Sequence, residues 1–153
     1  MFRKDKEIKE KKAIETIIRQ AAVCRLGMSG GEYPYVVPLC FAWQDGTLYF
    51  HSARKGQKLE LLEKNPRVCF EIDNAGEVKK DEKPCKWGMA YESVIGFGHA
   101  EFITDNTAKR RALDLIMAHY SENGDPFEYS DAKINGTKVF KVTVERMTGK
   151  RSG

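Results

Sequence analysis

The sequence predicts a mainly β domain, a six-stranded antiparallel β-barrel with peripheral helices. Three observations lead there. Apolar, β-rich runs come as adjacent pairs, whereas a parallel α/β sheet needs strands and helices in regular alternation. The helical stretches are few and fall between or outside those pairs, as in small barrels. The chain has 153 residues, 41% of them hydrophobic and 31% charged. That fits one domain over residues 1–153, large enough to bury a core without staples.

Residues 5–21 read as a helix. Ile14, Ile17, Ile18 and Ala21 follow the i, i+3, i+4, i+7 spacing of one apolar face, and Asp5 is placed to cap its start. AVCRLGMS (22–29) alternates as a strand, and Gly30-Gly31 turns the chain. YVVPLCFAW (35–43) and TLYFHSA (47–53) flank Gln44-Asp45-Gly46, the pattern of a β-hairpin around an Asp-Gly turn. Pro38 cannot donate to a ladder, so it belongs at an edge or a bulge, and a bulge would leave backbone groups free for a ligand. Lys55-Gly56 opens a short helix through Glu63, with Leu59 and Leu62 inward and Pro66 as its stop. RVCFEID (67–73) is a strand and residues 74–86 are a polar loop. YESVIGFGHAEFI (91–103) is a long strand that can bend at its two glycines. Thr104-Asp105 caps a helix over 107–121 with Leu113, Ile116, Met117 and Tyr120 as its apolar face. SENGDPFEYSD (121–131) is a loop, and KVFKVTVERM (138–147) is the closing strand.

Several function classes drop out. Net charge is +4, but residues 3–12 interleave six Lys/Arg with three acids. That is the pattern of a solvated helix face, so no nucleic-acid partner is expected. No run approaches the roughly 18 apolar residues of a membrane span, so no membrane partner is expected. MFRKDKEIKEKK has no apolar stretch behind it, which points to a cytoplasmic protein. Cys24, Cys40, Cys69 and Cys85 form no C-x-x-C pair. Three of them sit in apparent strands as small buried hydrophobes, and Cys85 lies in a polar loop as an exposed thiol. His51, His99 and His119 lack the short spacings of common metal motifs, so no metal site is assigned. There is no G-x-S-x-G and no nucleophile–base pair, and no catalytic residue is nominated.

The segment with the most chemistry is His51-Ser52-Ala53-Arg54-Lys55-Gly56-Gln57-Lys58. It puts a hydroxyl, three cations and a glycine where a strand meets a helix. Helix N-termini offer free N–H groups and a positive dipole end, which suits a phosphate. The same pattern also describes a solvated basic helix start, and it lacks P-loop spacing. Trp87 and Tyr91 flank a Gly-Met pair, either as an aromatic wall or as core and interface filler.

PYVVPLCFAWQDGTLYFHSARKGQKLELLEKNPRVCFEID, followed by CKWGMAYESVIGFGHAEF and the terminal MTGK, resembles the pyridoxamine-phosphate-oxidase-like split barrels. More narrowly, it resembles their nitroimidazole-resistance branch, over roughly residues 3–151. The resemblance implies a split barrel and a homodimer with FMN across its interface. FAD is admitted, and haem or deazaflavin are alternatives. In the family the first hairpin strand lays its backbone along the flavin, here Val36, Val37, Pro38 and Leu39. The end of the second strand contacts ribityl and phosphate, here His51 and Ser52. A helix lysine grips the phosphate, which is Lys58 by its distance from Asn65-Pro66, with Lys55 and Gly56 at the helix opening. Ser93 falls at a polar flavin contact, and Trp87 lies where a ring can cover the flavin. Two departures matter. The true oxidases carry an arginine at the position of Val36, for which Lys55 is the substitute. They also end in an arginine-containing motif that binds pyridoxal, which VERMTGKRSG does not match, so vitamin B6 oxidation is not expected. The implied function is electron transfer from a nicotinamide to a small acceptor such as a nitroaromatic compound. The alternative is a non-enzymatic flavin or haem carrier or redox sensor.

Overall fold

A computed structural model of the chain describes residues 3–122 and 127–153. After a 3-10 turn at Lys4–Lys6 come β1 (Glu7–Ile8), α1 (Lys11–Gln20), β2 (Cys24–Met28), β3 (Tyr35–Leu39), β4 (Ala42–Gln44) and β5 (Thr47–Ser52). Then follow α2 (Gln57–Lys64), β6 (Arg67–Lys79), β7 (Gly88–Ile103), α3 (Asn106–Tyr120), α4 (Asp131–Gly136) and β8 (Lys138–Ser152). Among the described residues no helix is long and apolar enough to cross a membrane.

Several elements form as their local chemistry dictates. Asp45 and Gly46 both take positive φ, 47° and 76°, which is the two-residue turn whose twist suits a hairpin. It joins β4 to β5 with Gln44 opposite Thr47. The Asp105 carboxylate accepts the Ala108 N–H at 2.8 Å and caps α3. α2 buries Leu59 and Leu62, as predicted, together with Leu61.

Other boundaries differ from expectation. α1 begins at Lys11 rather than residue 5, because Asp5 pairs with Arg3 and Glu7–Ile8 is drawn into a ladder against Lys150 and Gly149 of β8. The run 35–43 is two strands. β3 leaves the hairpin to pair with β2, and only β4 faces β5. Pro38 lies on a terminal strand in an unbroken register opposite Arg25, so an edge rather than a bulge accommodates it. Residues 74–79, expected in a loop, pair with 88–92 and extend β6 and β7 into a hairpin arm. The expected loop 121–131 ends in α4, capped by Ser130, and its residues 123–126 lie outside the described ones. α3 turns Lys109, Ala112, Leu113 and Ile116 inward, whereas Met117 and Tyr120 are exposed. The Lys109 ammonium claims the inner side by donating to the carbonyls of Ile134 and Thr137, at 3.1 and 2.9 Å.

All eight strands belong to one antiparallel sheet, ordered β3-β2-β6-β7-β8-β5-β4 with β1 on the end of β8. The expected six strands are therefore eight, and no ladder joins β3 to β4 among the described residues. Cys40 and Phe41 alone link those two terminal strands, so the sheet curls until its edges approach. Its concave face supplies Leu26, Phe50, Phe70, Ile72, Val94 and Phe140 to one core, which α1 closes with Ile14, Ile17 and Ile18.

Gly96 tests how tightly this core is filled. A Cβ there would sit 2.2 Å from the ring of buried Phe70, whereas one at Gly136 in α4 would meet nothing within 4 Å. Urea denaturation should show Gly96→Ala less stable by about 1–3 kcal/mol. Gly136→Ala should stay within about 0.5 kcal/mol of wild type.

Candidate functional site

The two edges of the sheet diverge beyond the Cys40–Phe41 link. β4 covers β5 only from Thr47 to Tyr49, so Phe50, His51 and Ser52 keep a free backbone edge on that side. Among the described residues β3 pairs with β2 alone and keeps the other free edge. Tyr35, Val37 and Leu39 pack against the core, while Val36 and Pro38 point out. The link itself is fastened from α3. The Phe41 N–H donates to the Tyr120 hydroxyl at 3.0 Å, and that hydroxyl donates to the Ala22 carbonyl at 2.7 Å. Edges with unmade backbone hydrogen bonds can serve a flat heteroatom-rich ligand as well as a strand.

At the end of β5 the chain turns into α2. Gly56 precedes the helix with φ 151°, a conformation only glycine adopts readily. No side chain caps α2, so its first N–H groups and its positive dipole end remain available. Ser52 is 93% buried, with 7% of its surface exposed, yet its Oγ has no hydrogen-bond partner. A buried hydroxyl left unsatisfied is destabilising, and a ligand atom would relieve it. Lys58 is half-buried in the first turn of α2, and Arg54 and Lys55 are exposed just before it. Burial first, and then the Lys58 charge, lower the His51 pKa, so the imidazole is neutral at pH 7. Lys58 and His51 are therefore neighbours. The structure thus gathers His51, Ser52, Lys55, Gly56 and Lys58 at one corner, where β5 runs into α2.

Ser93 and Trp87 are not brought there. Ser93 lies on β7, opposite Asp73 of β6 and Lys150 of β8. Ser52 pairs with Lys138 on that same β8, twelve residues or about 40 Å along the strand from Lys150. Trp87 lies on the hairpin arm, where its Nε1 donates to the Asp81 carbonyl at 2.7 Å and Lys80 sits over its ring. By alternation Ser93 shares one side of β7 with Ile95 and Phe97, part of an apolar surface that the sequence reading missed. Val36, Gly27, Cys69 and Phe97 form one row across β3, β2, β6 and β7. Val36, Ile95 and Phe97 are 63%, 48% and 41% exposed. The signal was available: Val94 and Ile95 are both apolar neighbours in β7, and a strand apolar on both sides is covered on both sides.

A second feature no local pattern announced is a cavity of about 510 Å³ on the convex side of β5, beneath α3 and α4. His51 borders it, with Leu113, Ile116, Tyr129 and Ile134 among its walls. The Tyr129 hydroxyl is also buried without a hydrogen-bond partner. Burial, and secondarily the nearby Asp114, push its pKa up.

The family model described as pyridoxamine 5'-phosphate oxidase matches residues 10–151. Among curated proteins no match is found. A solved structure from Bacteroides thetaiotaomicron, described as a candidate 5-nitroimidazole antibiotic resistance protein, is 42% identical, with a TM-score of 0.83 over 95% of this chain and 86% of its own. An FAD-binding protein from Mesorhizobium loti is 25% identical, with a TM-score of 0.70 over 94% of this chain and 96% of its own. An FAD and haem binding protein from Mycobacterium smegmatis is 15% identical with a TM-score of 0.86, over 96% of this chain and 73% of its own. That last likeness is one of fold alone.

The proximity of His51 and Lys58 can be tested without any ligand. His51 should titrate below the ordinary value of about 6.5 by NMR. Removing the neighbouring cation in Lys58→Met should move that midpoint upward, though not fully to 6.5, because burial is the larger cause. An unchanged midpoint would place Lys58 away from the corner.

Proposed function

The chain belongs to the pyridoxamine 5'-phosphate oxidase family, on its nitroimidazole-resistance branch, and from that premise we propose that it is a homodimeric split-barrel flavoprotein. It holds FMN at the subunit interface and passes electrons from a nicotinamide to a small acceptor such as a nitroaromatic compound. One observation carries the cofactor reading: the unpartnered, buried Ser52 hydroxyl beside an uncapped helix start, with Lys58 in its first turn. A phosphate fits this donor set, since it accepts from the hydroxyl and the backbone N–H groups and offsets the lysine charge. Val36, Val37, Pro38 and Leu39 offer the free edge of β3 to the flavin ring, and His51, neutral at pH 7, adds no charge beside it. Lys55 stands in for the arginine of the oxidases. The flavin, when bound, supplies two-electron transfer. The protein binds and orients it, and no side chain is assigned a proton-transfer role.

The dimer follows from the division of the site residues. Ser93 and Trp87 lie too far from the Ser52 corner to meet a flavin there within one chain, so a second copy supplies them. The apolar row Val36, Cys69, Phe97 with Ile95 supports the sheet's convex face as the isologous contact.

Flavin titrations test the anchor. Lys58→Ala should weaken FMN about ten- to a hundredfold, the loss of a charge-assisted hydrogen bond worth roughly 1.5–3 kcal/mol. Riboflavin, which has no phosphate, should bind that variant as it binds wild type, and Ser52→Ala should weaken FMN less because its hydroxyl is neutral. Equal losses for both ligands would assign Lys58 to packing. With flavin bound, wild type should oxidise a nicotinamide faster when a nitro compound is added and should not turn over pyridoxine phosphate.

The interface has its own test. Phe97→Asp places a charge in the apolar row and should give a folded monomer by sedimentation, with FMN affinity lowered at least about tenfold. A monomeric wild type that binds FMN fully would refute the shared site.

A further inference from the structure

The cavity between α3, α4 and β5 is not used by the flavin reading above. Its volume of about 510 Å³ lies within the roughly 300–1,000 Å³ of small-molecule sites. It is also a built cavity. α4 has only six residues and would not hold its place alone. It is fastened to α3 by the buried Lys109 ammonium, which donates to the carbonyls of Ile134 and Thr137 at the end of α4. Arg110 holds the strand of chain before it, donating to the Tyr129 carbonyl at 3.0 Å and pairing with Asp131. The far wall is thus fixed before any ligand arrives.

The lining combines an apolar slot with groups of complementary kinds. Leu113, Ile116 and Ile134 offer walls for a flat ring. The Tyr129 hydroxyl, beside the Asp114 carboxylate, has no hydrogen-bond partner among the described residues and can bond a ring nitrogen or an exocyclic amine. Glu128 can accept from an exocyclic amine, and Lys133 brings a cation for an anionic tail. Position narrows the choice further. His51 borders the cavity and also senses the charge of Lys58, so the cavity adjoins the phosphate corner. A small acceptor has to reach the ring, whereas a purine joined through phosphates has to reach this place.

We propose that the cavity between α3 and α4 binds the adenosine diphosphate end of a dinucleotide. The chemistry is shared by two sources, FAD in place of FMN and the nicotinamide electron donor. The inference rests on the flavin reading only for the location of the phosphate corner.

ADP itself is the first probe, titrated into wild type by calorimetry and followed by FMN and FAD. Two variants are used. Met117→Trp fills the cavity from its exposed rim, and Tyr129→Phe deletes only the hydroxyl. Wild type should bind ADP. Met117→Trp should weaken ADP on the order of tenfold or more, and Tyr129→Phe about two- to tenfold, as for one neutral hydrogen bond. FMN should stay within about twofold in both, well under one tenfold step. If FAD weakens alongside ADP, the dinucleotide is the flavin. If FAD holds and the KM for the nicotinamide rises in the FMN-loaded variants, it is the electron donor. Failure of ADP to bind wild type, or equal losses for FMN and ADP, would overturn the proposal. Binding of ADP but of neither flavin would refute the flavin reading and leave the nucleotide site standing.

Discussion

Two residues, Cys40 and Phe41, carry the chain from one terminal strand of the sheet to the other. Three Cα steps span at most about 11 Å, so Leu39 and Ala42 cannot be farther apart than that. A flat sheet with this strand order would set its outer strands about 29 Å apart, more than twice that distance. The link therefore forces the sheet to curl, and the curl lets one face of it supply a single core from β2 through β8. Tyr120 fixes the link by accepting from Phe41 and donating to Ala22, which ties α3 to the same point.

The curl stops short of closure, and most of the unfinished hydrogen bonding collects where it stops. Three buried side-chain polar atoms lack partners among the described residues: Trp43 Nε1, Ser52 Oγ and Tyr129 Oη. Trp43 is on β4 and Ser52 ends β5, the two strands that border the gap, while Tyr129 lies by the cavity that His51 shares. Groups that would weaken an isolated fold are retained where a ligand can complete them. Nothing in the structure explains the unpartnered Trp43 nitrogen.

What the sequence made legible was local. Asp45-Gly46 declared its turn through backbone chemistry, Asp105 its cap, and Leu59 and Leu62 the inward side of α2. The partition of 35–43 into β3 and β4 was not legible, because alternation records which side of a strand is buried and not which strand lies next to it. Residues 74–79, one side of the arm, carry no burial pattern, so they read as a loop. α4 depends on Lys109, more than twenty residues upstream. The site divides along the same line. Ser52, Gly56 and Lys58 are close in sequence, so one segment could suggest them, whereas the cavity unites β5, α3 and α4 and has no signature in any one segment.

The last strand also bears on how the molecule is made. β8 lies between β7 and β5 and takes β1 at its far end, so among the described residues β3-β2-β6-β7 and the β5-β4 hairpin meet as a ladder only through it. It follows in the chain every strand it joins. During synthesis the two halves must wait, with the apolar side of each uncovered, until residues 138–152 leave the ribosome. Sheets assembled from such distant pairings form slowly, and their waiting intermediates are the ones that aggregate. For this chain, then, truncations that reach into β8 should be recovered as aggregate rather than as a smaller domain.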